Sequence, residues 1–187
     1  ETEKENESIP EVVPSNDDKD NCTSWSYLFV HNQKVKSIEE QLKKDGVIHF
    51  VHKTIKYIPR HRNRGGMREV ETPSVSGLIF LQGAPELLQD YLDKNIKPYK
   101  LCKNCSTGKV ATIPCNQMEP FMRVAETEPE RLRFLLRPFV YYSKNRTLLR
   151  IVTGDYAGLE GYVIRIARDR KLVMDVGGMA VAVAGIH

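Results

Sequence analysis

No apolar run in this sequence approaches the roughly 20 residues a membrane-spanning helix needs, and no cationic, apolar leader opens it. It begins instead with the acidic, polar stretch "ETEKENESIPEVVPSNDDKDN". Those absences set the expectation of a soluble, cytoplasmic protein with no membrane partner. Cysteine is scarce as well: Cys22, Cys102, Cys105 and Cys115 are the four present. The C-x-x-C pair at 102 and 105 raises the question of zinc. No second C-x-x-C and no closely spaced His pair completes a four-ligand set, so no metal is expected, and reduced thiols are the default for a cytosolic chain. Also missing are a Ser-His-Asp order and a recognisable motif of paired carboxylates. No catalytic residue and no cofactor is therefore expected.

What the chain does have is ordinary globular composition, 41% hydrophobic and 28% charged over 187 residues, enough for one medium or two small domains. The formal net charge is +4. The first twenty residues are strongly acidic, so the remainder is more basic than that figure suggests, which suits a polyanion without establishing one. Residues 1–22 hold few apolar side chains and two prolines, too little burial to offset ordering entropy, and read as a disordered acidic tail.

Beyond the tail, local patterns alternate between strand and helix. "WSYLFV" (25–30) is aromatic and apolar, as a buried strand would be. Ser37 and Glu40 have capping-box spacing, Val35, Ile38 and Leu42 recur near helical spacing, and Gly46 stands where a left-handed cap belongs. Residues 47–58, "VIHFVHKTIKYI", predict one strand running into the basic loop "PRHRNRGGMRE". "GLIFLQ" predicts a buried strand, and Pro85 opens a helix with Leu87, Leu88, Tyr91 and Leu92 on one face. "NIKPYKLCKNCSTGKVATIP" predicts a hairpin of two weak strands turning at "NCSTGK". Met118, Phe121, Met122 and Ala125 mark a third helix despite Pro120. "RLRFLL" extends as a strand or a short helix within a connector, residues 128–146. From 147 to 187, "TLLRIV", "EGYVIRIA", "KLVMDV" and "AVAVAGI" are four short strands at even spacing, the pattern of a small barrel.

Between the first two of these lies "GDYAGLEG", three glycines in eight residues. A phosphate loop would lead into a helix and carry a Lys-Ser/Thr pair. This one leads into the strand "YVIRI" and carries neither. Taken whole, "VTGDYAGLEGYVIRI" resembles the KOW motif of the NusG family, with Gly154 and Gly158 serving the turn and Gly161 letting backbones approach closely. "WSYLFVHNQKVKSIEEQL", "SGLIFLQGAPELLQ" and "IPCNQMEPFMRV" resemble, in the same order, the opening strand and helix, the later strand-turn-helix and the third helix of the NusG N-terminal domain. The resemblance spans residues 23–187.

That resemblance implies an α+β chain: an N-terminal α/β sandwich at 23–127, an antiparallel sheet flanked by helices, joined by the connector to a small SH3-like KOW barrel at 147–187. It implies a non-catalytic transcription elongation and antitermination factor that binds RNA polymerase, bridges its clamp over the DNA channel and suppresses pausing or termination. In the family an apolar sheet patch docks on the clamp, and the matching positions here are Phe29, with Tyr27 on the same strand face, and Val75, Leu78 and Phe80. The residues themselves serve equally well as plain core, since every strand has a core face. Ser76-Gly77-Leu78 stands where the family has Pro-Gly-Tyr.

His31, Asn32, Lys34 and Lys36 match the turn that faces non-template DNA in specialised relatives, or form a solvated helix entrance. Arg60, His61, Arg62, Arg64 and Arg68 form either a mobile basic hairpin tip or a nucleic-acid contact. Gly177 occupies the place of an aromatic residue through which the KOW domain of housekeeping relatives recruits Rho or a ribosomal protein. That departure counts against Rho, leaves the ribosomal protein open, and favours a specialised paralogue acting at particular operons, such as those for surface polysaccharide. The rival readings are a general housekeeping elongation factor, a KOW-type RNA-binding, ribosome-associated module, and an enzyme using Cys102 and Cys105 as a redox pair.

Overall fold

The computed structural model describes residues 24–59, 66–105, 107–144, 146–166 and 168–185. The chain is mixed α+β. Its first sheet has four antiparallel strands in the order β2-β5-β1-β6: β1 (Trp25–Phe29), β2 (His49–Phe50), β5 (Leu78–Gln82) and β6 (Thr112–Ile113). Alternation along β1 and β5 splits their side chains between two cores. Leu28, Ile79 and Leu81 join Val35, Ile38 and Leu42 of α1 (Val35–Lys44) and Leu88 and Leu92 of α2 (Pro85–Asn95). Trp25, Tyr27, Leu78 and Phe80 point the other way, onto Met118, Phe121, Val124 and Ala125 of α3 (Cys115–Thr127).

The C-terminal strands complete that second core. β7 (Leu132–Pro138), β8 (Leu149–Arg150), β9 (Glu160–Ile166), β10 (Asp169–Val176) and β11 (Met179–Val183) form one antiparallel sheet in the order β7-β11-β10-β9-β8. Leu172, Met174, Val176, Val181 and Val183 pack with Phe80 and Phe121. Val173, Ala180, Ala182 and Ile164 face away and are covered by Leu135 and by Phe139 and Tyr142 of α4 (Phe139–Tyr142). The described strands form no closed barrel: β7 and β8 end the strand order without pairing to each other. Residues 132–138, expected in the connector, supply an edge strand of this sheet.

Several local expectations change. The Ser37–Glu40 capping box does not form, because a 3-10 turn at Asn32–Lys34 precedes α1 and puts Ser37 inside the helix, where its hydroxyl donates to the Lys34 carbonyl at 3.0 Å. Gly46 does follow α1 with φ +70°. The single strand expected at 47–58 is two. β2 pairs with β5, the chain breaks at buried Val51 and His52, and β3 (Lys53–Pro59) pairs with β4 (Met67–Pro73) in a separate two-stranded ribbon. Leu87 is 71% exposed and leaves the apolar face of α2. The hairpin expected over 95–114 forms in its inner part, where Lys103 bridges Val110 and the Asn104 and Ala111 N–H groups donate to Lys109 O and Cys102 O, while β6 joins the first sheet. Residues 1–22 lie outside the described residues. No described helix is long and apolar enough to cross a membrane.

The glycine loop is a turn closed on itself. The Gly158 N–H donates to Ile151 O at 2.8 Å and the Ala157 N–H to Gly154 O at 3.1 Å, with φ +82° at Gly154 and +95° at Gly158. At Gly161 a Cβ would stand 2.1 Å from the Val173 carbonyl oxygen, so only glycine lets β9 lie this close to β10.

His52 sits where the ribbon, α3 and β7 meet. Its ring is 6.2 Å from that of Phe121 and 6.1 Å from that of Phe134, its Nδ1 meets the Ser74 hydroxyl, and its Nε2 is buried beside the Pro129 backbone. Burial holds its pKa below the ordinary value, against a smaller upward pull from the Pro129 backbone. The unfolded chain therefore takes up this proton first, at its usual pKa of about 6.5, and stability falls as pH drops below that value. Urea midpoints are expected to decline as pH falls below about 6.5, and His52→Gln should flatten that decline. An unchanged slope in the variant would assign the pH dependence elsewhere.

Candidate apolar docking groove

Where the first sheet ends beside the second, a groove of about 1060 Å³ opens. Phe29 and Val75 form one wall, β7 from Leu132 and the start of α4 form the other, and Tyr27, Asp175 and Gly177 lie along it. Phe29 is the last residue of β1, opposite Leu78, and is 47% exposed while the four residues before it are buried. Its ring meets that of Tyr27 edge-on at 6.2 Å. On the facing wall Leu136 is fully exposed and Val140 is 68% exposed. Leu132 and Phe134 share one face of β7, and the pairing with β11 then shifts register before Pro138. The strand starts buried at Leu132 and ends in solvent beyond that irregularity.

The turn before β5 positions Val75 and Phe29 together. The Val30 N–H donates to Gly77 O at 2.8 Å, and Gly77 has φ +77° with its missing Cβ directed at the Val30 carbonyl. At the inner end the Tyr27 hydroxyl donates to Gly177 O at 3.0 Å. Burial, with smaller contributions from Cys102, Asp175 and Cys105, pushes the tyrosine pKa up to about 12, so it remains a neutral donor. Burial also raises Asp175, opposed by a hydrogen bond from the Gly178 N–H. Gly177 has a packing reason: a Cβ there would come within 2.7 Å of the Tyr27 ring and 2.9 Å of Ile113. An aromatic residue at 177 does not fit while the two sheets are docked.

Of the polymerase-binding candidates, Phe29 and Val75 line the groove, Tyr27 is 7% exposed at its inner end, and Leu78 and Phe80 are core, at 2% and 0%. His31, Asn32, Lys34 and Lys36 are exposed together at the start of α1, with the His31 N–H donating to the Tyr99 hydroxyl at 3.3 Å. Arg60, His61, Arg62 and Arg64 lie outside the described residues; Arg68 is exposed on β4.

No family model matches the chain, and no curated protein matches it.

Leu136 and Val140 entered no sequence-based set because "LLRPFV" reads as connector. Among the described residues no group of three or more His, Cys, Asp and Glu could hold a metal ion. Cys102 and Cys105 are free thiols, and burial raises the Cys102 pKa, which disfavours the reactive thiolate. Cys115 is disulfide-bonded, which corrects the expectation of free thiols throughout.

Proposed function

We propose that this chain is a NusG-like transcription elongation and antitermination factor that docks on RNA polymerase and bridges its clamp across the DNA channel. It suppresses pausing or termination there, and acts as a specialised paralogue at particular operons. The observation that carries this reading is the apolar groove, in which Phe29 and Val75 stand solvent-accessible at the end of the first sheet, at positions the family resemblance assigns to clamp docking. Exposed aromatic anchors rimmed by polar groups are what protein interfaces use. Leu136 and Val140 extend the same apolar surface. The exposed cluster from His31 to Lys36 is the accompanying contact for non-template DNA. The C-terminal sheet is on this reading a KOW-type barrel, supported by the antiparallel meander β8-β9-β10-β11 and the glycine turn at its start. Gly177, packed against Tyr27, supports a specialised paralogue over a Rho-recruiting housekeeping factor.

The test is retention of purified core RNA polymerase on the immobilised full chain. Retention is expected, and Phe29→Ala should weaken it by roughly 5- to 30-fold, the range for an interface anchor worth about 1–2 kcal/mol. Absence of retention where a housekeeping NusG binds would sink the proposal.

A further inference from the structure

The far face of the C-terminal sheet, turned away from the first sheet, carries a second groove of about 790 Å³ between β7, α4 and β9. Its lining is cationic, with Arg133, Arg137, Lys144, Arg146 and Arg165 contributing, and no Asp or Glu lines it among the described residues. All five cations are exposed, and none takes part in an ion pair with the described carboxylates. A surface that gathers this many unpaired like charges repels itself unless a polyanion lies across it.

Aromatic rings are set among these charges. Tyr141 is 53% exposed, the Arg137 guanidinium lies over its ring at 5.4 Å, and the Tyr142 ring meets it edge-on at 5.2 Å. Arg146 is anchored by donating from Nη1 to the Tyr142 carbonyl at 2.7 Å, which holds its charge at the wall of the groove. Cations along a groove attract phosphates, and an exposed ring bordered by arginine stacks unpaired bases. A duplex keeps its base faces stacked inside and gives Tyr141 nothing to stack upon. The arginines and lysine can only donate hydrogen bonds, whereas a tyrosyl hydroxyl both donates and accepts, which is what a ribose 2′-hydroxyl requires.

We infer that this groove binds single-stranded RNA, with Arg133, Arg137, Lys144, Arg146 and Arg165 on the phosphates and Tyr141 stacked on a base. The two grooves adjoin along β7, where Arg133 to Arg137 line both, but Tyr141, Tyr142, Lys144, Arg146 and Arg165 line only this one, and the inference stands without polymerase docking.

Fluorescence anisotropy of a labelled oligo(U) of about 12 nucleotides, titrated with the full chain and no polymerase, tests it. Binding should weaken with salt at a log–log slope of about −0.7 per phosphate contacted. Oligo(U) should bind about tenfold more tightly than oligo(dT) of equal length or duplex RNA. Tyr141→Ala should cost roughly 5- to 100-fold with the salt slope unchanged. Arg137→Gln with Lys144→Gln should make the slope shallower by about one to two contacts. All three substituted side chains are exposed, so circular dichroism should match the parent. Tyr141→Phe keeps the ring without the hydroxyl and should recover the stacking share of the affinity lost by Tyr141→Ala while bringing oligo(U) and oligo(dT) closer to equal. Equal binding of oligo(dT), duplex RNA or heparin, or an unchanged affinity in Tyr141→Ala, would overturn the inference.

Discussion

Replacing Phe121 with alanine is expected to lower the unfolding free energy by about 3–5 kcal/mol, the range for truncating a fully buried phenylalanine. The ring is 0% exposed and stands among Phe80 at 5.7 Å, Phe50 and Phe134 at 6.0 Å each, and His52 at 6.2 Å. Those partners come from both sheets and from the segment leading to the ribbon, so a cavity at 121 cannot collapse onto one neighbour without pulling on another. Both sheets should lose stability together. Trp25, the sole tryptophan and 4% exposed in the first sheet, reports that sheet by fluorescence, while far-UV circular dichroism reports the whole chain. Urea transitions from the two probes are expected to coincide and shift by the same amount. A loss under about 1 kcal/mol, against the expected cavity cost, would mean the ring does not join the sheets.

Gly77→Ala is expected to cost at least about 3 kcal/mol, more than backbone strain alone accounts for. At φ +77° any L side chain is strained, and here the Cβ would stand 1.9 Å from the Val30 carbonyl oxygen, a backbone atom that cannot rotate away. Relief requires the turn to part from β1, which breaks the Val30-to-Gly77 hydrogen bond and separates Val75 from Phe29. Gly154→Ala is the matched control: φ is +82° with nothing within 4 Å of the added carbon, so only the conformational cost of about 1–2 kcal/mol applies. Equal losses in the two variants, measured by urea denaturation, would show that the close approach at Gly77 is relaxed in solution.

Helical elements were the most legible part of the sequence. The spacing of Val35, Ile38 and Leu42, and of Met118, Phe121 and Ala125, announces α1 and α3, and each of these residues is buried as that spacing requires. Pro120 lies in the second turn of α3, where it costs the helix one backbone hydrogen bond, and its ring is buried there. Strand existence was legible for β1, β5, β9, β10 and β11, but strand continuity was not. Nothing local says that "VIHFVHKTIKYI" must break at Val51 and His52, because both flanking pieces have strand composition and the break is dictated by different partners, β5 for one and β4 for the other.

At the candidate groove, Phe29 and Val75 are named through the family resemblance, since local pattern alone leaves them as plain core. Whether Leu78 and Phe80 were surface or core could not be read, since they share an apolar face with Phe29 and differ only in what lies over them.

The amino-acid order alone determined the helices α1, α2 and α3, the strands β1, β5, β9, β10 and β11, and that two apolar faces exist on β1 and β5. Side-chain periodicity and backbone sterics are local properties, readable within a few residues. Only the tertiary structure decided that α1 and α2 cover one of those faces while α3 and the C-terminal sheet cover the other, with Phe29 left at the open end. Burial depends on neighbours up to 150 positions apart, as Tyr27 and Gly177 are, and hydrophobic attraction carries no direction to mark which apolar face each partner takes.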